Sequence, residues 1–298
     1  MTRRLSALIA LVAVGVPASR PAGAVGQQPL KIFVSVDMEG IGGIGTSAMT
    51  SASGKDYATG RRLMTDEVNA VVATIFEHGP AEVVVNDSHG DMQNLLHTEL
   101  DPRVTYIQGA IKPLGMVEGL DSTFDGAIFI GYHARAGTVR GFIAHTGSGI
   151  VKGLWLNGIE VGEGELNAAY AGSVGVPVLL ASGDSAFVSQ FTGTVHSESV
   201  VTKTAVTPES ARLRHPTVVR QDLSQAAARA LAGIRNRTPW VVRAPIQVRL
   251  RLADPTRPQI LMAIPGVRQI DGFTVEFSAS SMAEAYRLIR LMYRFVSV

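Results

Sequence analysis

Apolar and polar positions alternate along this chain in blocks. Short apolar runs of five to seven residues, KIFVSVD at 31–37, AEVVVND at 81–87, AIFIGYH at 127–133 and VPVLLASGD at 176–184, each stop on polar residues. Continuous apolar runs of that length predict strands buried on both faces, as in a parallel sheet. VTYIQG at 104–109 predicts a shorter strand. Between the first two runs, apolar Leu63, Val68, Val71, Val72 and Ile75 recur at three- and four-residue steps, which predicts a helix over 57–79. Gly79 and Pro80 end it. LWLNGIEVG at 154–162 predicts a hairpin turning at Asn157-Gly158. GEGELNAAYAGSVG at 162–175 predicts a helix of small residues.

The C-terminal third reads differently. The pattern predicts helices around 208–214 and 221–235, a strand at 245–254, a strand at 273–280 and a last helix over 281–296. QVRLRL alternates polar and apolar residues, as a half-exposed antiparallel strand does. The expected class is therefore α/β: a layered, mostly parallel sheet domain over 30–200 and a smaller α+β domain over 201–298.

The first residues have a different pattern again. Arg3 and Arg4 precede an apolar run at 5–18, and small Ala22 and Ala24 flank Gly23. That order predicts a signal peptide over 1–24 and export to the periplasm or the exterior. The run is short for a membrane span, so no stable membrane insertion is expected after processing. An uncleaved N-terminal anchor is the other reading.

Composition narrows the chemistry. The chain has 298 residues, 46% of them hydrophobic and 17% charged, and no cysteine. Disulfides and thiolate metal sites are excluded, so a metal must use His, Asp, Glu or water. A net charge of +2, with no basic run interleaved with aromatics, offers no groove for nucleic acid.

Three of the apolar runs close alike: VSVDMEG at 34–40, VVVNDSHG at 83–90 and IFIGYHAR at 128–135. In open α/β sheets, ligands bind beyond the carboxyl ends of the strands. Asp37, Glu39, His89 and His133 are thus expected on one rim, as a set of metal ligands. Each taken singly has a plainer explanation: solvated acids at a strand end, a turn at Asn86–Ser88, a structural histidine. Asp87 or Ser88 is expected to orient the His89 ring. Glu163 and Glu165 open the helix at 162–175, where acids also suit the helix dipole. Asp184 closes another strand, as a rim residue or a helix cap. His145, in the Gly-rich GFIAHTGSG, is placed to act as base or acid, or else is a loop residue without a role. His78, His97, His196 and His215 read as surface residues.

Five segments in order, SVDMEG, NDSH, KPLGMVEGLD at 112–121, GYHARA at 131–136 and VGEGELNA at 161–168, resemble the DppA-like D-aminopeptidase family of zinc peptidases, M55. The resemblance implies two zinc ions per chain. Asp37 would bridge them, Glu39 and His133 would complete one, and His89 and Glu163 the other, with His145 as catalytic histidine. It implies hydrolysis of short peptides with an N-terminal D-residue, such as D-Ala-D-Ala, by a metal-bound hydroxide. It also implies a ring-like homo-oligomer, with a decamer as the candidate size. Glu165 stands where the family more often has a small residue; it and Asp184 are candidates for holding the substrate amine. The alternatives are another exported metal hydrolase, such as an amidase or a phosphoesterase using Lys112 or Arg135, and a non-catalytic metal- or peptide-binding protein.

Overall fold

The computed structural model describes residues 28–296; the signal peptide expected over 1–24 lies outside them. In chain order the elements are β1 (Leu30–Val36), α1 (Tyr57–His78), β2 (Ala81–Asp87), β3 (Thr105–Ile107), β4 (Gly126–Tyr132), β5 (Val151–Leu156), β6 (Ile159–Glu160), α2 (Glu163–Ser173), β7 (Val178–Asp184), α3 (Ser185–Thr192), β8 (Glu198–Thr207), β9 (Ser210–Leu213), α4 (Pro216–Ala232), β10 (Ile246–Leu252), α5 (Thr256–Leu261), β11 (Arg268–Gln269), β12 (Thr274–Ala279) and α6 (Met282–Val296).

Seven strands form one sheet in the order β3-β2-β1-β4-β7-β8-β9. Every pair in it is parallel except β8 with β9. Ile32, Phe33, Val34 and Val36 of β1, and all of β4, are buried, which is why these strands read as unbroken apolar runs. The chain leaves β1 toward β2 on one side and returns to β4 on the other. That reversal is a topological switch point, and its carboxyl rim is where a site is expected.

The second sheet is antiparallel, in the order β11-β12-β10-β5-β6. β10 alternates buried and exposed residues along its length, as its pattern predicts. The sheets are not separated at residues 200 and 201, where the sequence pattern places a boundary. β8 and β9 complete the first sheet, whereas β5 and β6 join the second. The helix expected around 208–214 is instead β9, the return strand of a hairpin with β8. Pairing with β8 satisfies its backbone and overrides a weak local preference for helix. α6 buries Met282, Ala285, Tyr286, Ile289, Met292 and Tyr293 on one face, the spacing of an amphipathic helix.

The Gly-rich segment 40–54 folds over the rim and is held from two sides. Glu67, on the buried face of α1, accepts from Gly42 N at 2.6 Å. Lys203 of β8 is fully buried and donates to the carbonyls of Glu39 and Ile44. Burial pushes the Glu67 carboxyl up from 4.5 to about 7. Its second oxygen has no hydrogen-bond partner among the described residues, which suits a neutral group.

The folded chain holds this proton more tightly than the unfolded chain does. The stability it contributes is complete below pH 4.5 and is lost as pH rises through about 7. Glu67→Gln keeps an acceptor for Gly42 and cannot ionise. Relative to wild type, the variant should gain on the order of 3 kcal/mol between pH 4.5 and 8. Urea midpoints of both proteins across that range measure this; identical pH slopes would refute it.

Candidate metal centre

The strand ends converge as their pattern predicts. Asp37 and Glu39 follow β1, His89 follows β2 and His133 follows β4. The backbones are tightly apposed here. Gly40 N donates to Gly131 O at 2.8 Å. A Cβ on Gly40 would collide with the Tyr132 carbonyl, and one on Gly131 with the Asp37 carbonyl. Gly131 also has a φ of +74°. The glycines of the D-x-E-G and G-Y-H segments thus let β1 and β4 bring their acids and imidazole together.

Asp37, Glu39, His133 and Glu163 are all buried. His89 Nδ1 lies 3.3 Å from Asp37 Oδ1 and 3.0 Å from Glu39 Oε2. His133 Nε2 lies 3.4 Å from Asp37 Oδ2 and 3.7 Å from Glu163 Oε1. Two compact groups result, Asp37 with Glu39 and His89, and Asp37 with His133 and Glu163. Asp37 is common to both. Glu39 sits with His89 and His133 with Glu163, while Glu39 and His133, which the resemblance pairs, also lie together in a further compact group with His145.

Each imidazole is pinned by its remote nitrogen. His89 Nε2 donates to Thr50 O at 2.8 Å, and His133 Nδ1 to Ala134 O at 3.0 Å. In both rings the other nitrogen faces the carboxylates, which is how metal-ligating histidines are oriented. Among the described residues, Asp37 Oδ2 and His133 Nε2 are buried without a hydrogen-bond partner. Buried polar atoms normally have partners, and a cation between these two would supply one. The donor set of carboxylate oxygens and imidazole nitrogens fits Zn²⁺.

Electrostatics agree. Burial pushes the Asp37 carboxyl up, with the neighbouring Glu39 adding to it. Burial also opposes ionisation of Glu39, but His89 beside it wins and holds it well below the usual carboxylate range. Glu163 is likewise penalised by burial yet lowered to about 2, chiefly by His133. Burial works against charge on His89 and His133, but Glu39 and Glu163 respectively outweigh it and hold both well above the ordinary histidine range. Such a site stabilises positive charge, and a divalent cation would bind there by displacing protons.

His145 stacks on His133 with ring centroids 4.0 Å apart. Its Nδ1 donates to Ile143 O at 2.9 Å, leaving Nε2 3.6 Å from Glu163 Oε1. Ile143 has a φ of +47°, unusual for a β-branched residue; such strain concentrates at functional sites. His145 also falls in a third compact group, with Glu39 and His133.

Several expectations are revised. The His89 ring is oriented by Thr50 O and by neither Asp87 nor Ser88. Asp87 caps the following turn, accepting from Asn94 N and Leu95 N, and Ser88 bonds Ser35. Glu165 does not face the site: its carboxylate accepts from Gly162 N at 2.9 Å and caps α2, while Glu163 accepts from Gly147 N and joins the cluster. Asp184 caps α3 through Ala186 N and Phe187 N, and also accepts from Ala134 N. Neither acid is free for a substrate amine. Lys112 is taken up by Asn86 Oδ1 and Asp87 O, and Arg135 pairs with Glu160. His78, His97, His196 and His215 are exposed. The pattern does not mark Thr50, because a backbone carbonyl has no sequence signal. Nor does it mark Lys203, which lies in an unpredicted strand.

Comparison with known proteins completes the picture. The family model Peptidase_M55, D-aminopeptidase, matches residues 30–291. A D-aminopeptidase of Bacillus subtilis (strain 168) is 34% identical over 265 residues, 88% of this chain and 96% of that protein. A solved structure, the Zn-dependent D-aminopeptidase DppA from Bacillus subtilis, described as a self-compartmentalizing protease, superposes with a TM-score of 0.86. It is 34% identical, and the match covers 89% of this chain and 97% of that one.

Proposed function

The chain belongs to peptidase family M55, the D-aminopeptidases, and on that premise we propose that it cleaves N-terminal D-residues from short peptides such as D-Ala-D-Ala at a site for two zinc ions. The observation that carries the zinc count is the sharing of Asp37 between two compact ligand groups. Asp37, Glu39 and His89 would hold one ion; Asp37, His133 and Glu163 would hold the other. When bound, zinc supplies Lewis-acid polarisation of the scissile carbonyl and makes water more acidic.

The chain's own residues do the rest. Thr50 O and Ala134 O fix the two ligand imidazoles. His145, with Nδ1–H engaged by Ile143 O, presents Nε2 to take a proton from the attacking water and return it to the leaving amine. Burial of the acids excludes bulk water and strengthens each charge interaction. A phosphoesterase reading is not favoured, since the matching family and relatives are D-aminopeptidases, and Lys112 and Arg135 are both engaged elsewhere.

Metal analysis of the purified protein should find close to two zinc per chain. D-Ala-D-Ala and D-Ala-amide should release amine faster than their L counterparts, and a chelator should stop the release until zinc is restored. Hydrolysis of p-nitrophenyl phosphate without amine release would overturn the peptidase reading.

The neighbour described as self-compartmentalizing supports a homo-oligomer, for which we propose a decamer; light scattering on the eluted protein reads its mass, and a monomer would refute it. The basic and apolar start of the chain supports export with removal of residues 1–24. N-terminal sequencing of secreted protein tests this, and an intact Met1 terminus would refute it.

A further inference from the structure

The acid–histidine cluster opens into a cavity of about 250 Å³. Pockets for drug-sized ligands run from roughly 300 to 1,000 Å³, so the occupant here is small. Asp37, His89 and Glu163 line it, and α6 contributes Tyr286, Arg290 and Tyr293. Those three are four and three residues apart, on one helical face.

Arg290 is the only lysine or arginine among the described residues that lines this cavity. Among the described residues no carboxylate forms an ion pair with it, and its Nε is buried without a hydrogen-bond partner. The guanidinium lies against Gly115, where any Cβ would collide with it, and Gly115 has a φ of +51°. The glycine therefore makes room for the cation. A buried N–H without a partner is costly, and an anionic ligand at this half-buried guanidinium would offset that cost. A guanidinium fork matches a carboxylate in two parallel hydrogen bonds. The cavity thus has negative ligands on one part of its wall and a single planar cation on another. An extended dipeptide spans at most about 7 Å, which suits so small a space.

We propose that Arg290 binds the C-terminal carboxylate of the substrate, making the site selective for short peptides with a free carboxylate. The inference rests on the peptidase reading for the position of the scissile amide, but the anion site itself does not.

The test compares D-Ala-D-Ala with its C-terminal amide on zinc-loaded wild type, Arg290→Gln and Arg290→Lys. For the free dipeptide, Arg290→Gln should lower kcat/KM about 10- to 100-fold, mainly through KM. The amide should change by less than about twofold, and Arg290→Lys should recover part of the loss. Equal losses on both substrates, or no loss on either, would overturn the proposal. Binding supplies a readout independent of turnover. By calorimetry the slow His145→Ala background should prefer the dipeptide over its amide, and adding Arg290→Gln should erase the preference. If wild type cleaves neither compound, the peptidase reading fails, while the binding preference still decides the role of Arg290. Circular dichroism and zinc content establish that the variants are folded; should Arg290→Gln not fold, the same two substrates on Arg290→Lys decide the question.

Discussion

Asp37→Asn should reduce kcat/KM by at least about 10³-fold and leave fewer than two zinc per chain. Asp37 is the one side chain in both compact groups that include His89 or Glu163. Its two oxygens face different imidazoles, Oδ1 toward His89 and Oδ2 toward His133. A carboxylate can give one oxygen to each of two cations, whereas an asparagine amide has a single oxygen and no charge. The substitution nearly preserves volume, so packing around β1 should survive and unfolding curves of the stripped proteins should stay close. Metal analysis after dialysis, together with steady-state kinetics, checks the result. Two retained zinc ions with wild-type turnover would remove Asp37 from the role of bridge.

His145→Ala should behave differently: zinc content unchanged, kcat lower by roughly 10²- to 10⁴-fold. The distinction is geometric. His89 and His133 point acceptor nitrogens into the carboxylates that define the two groups, whereas His145 stacks on His133 from the loop and its side chain keeps 29% of its surface exposed beside the cavity. Its Nε2 is 3.6 Å from Glu163, beyond a hydrogen bond, so a proton there is free to move to or from a substrate. Loss of zinc along with turnover would instead make His145 a ligand, in the group it forms with Glu39 and His133. Loss of neither would remove it from the reaction.

Both predictions concern residues that the sequence already singles out, and the reason is local. Asp37, His89 and His133 each end a buried strand, and parallel strands align their carboxyl ends on one rim. Register within β1, β2 and β4 therefore carries sequence position directly into space. Glu163 and Glu165 were not separable in this way. Both open α2, and only the fold shows that Glu165 turns back to Gly162 while Glu163 reaches the cluster. The same holds for Asp184, whose burial at a strand end fits a rim acid and a helix cap equally well until its three backbone donors are seen.

Elements after β7 were harder to read for another reason. β8 has Lys203 in its middle, a residue type depleted from buried strands. It is stabilised there by the carbonyls of Glu39 and Ile44, which are more than 150 residues earlier in the chain. α6 reads as an ordinary amphipathic helix, and its buried face is indeed core. That the same face delivers Tyr286 and Arg290 to the cavity beside Asp37, His89 and Glu163 depends on where α6 packs against α2.

The sequence by itself determined the α/β class and the rim that gathers the acids and histidines, because apolar period and strand ends are local properties of the chain. The tertiary structure alone decided which acids turn inward, that Asp37 faces both His89 and His133, and that the last helix lines the cavity. Those outcomes depend on side-chain direction and on contacts between distant segments, which no local pattern encodes.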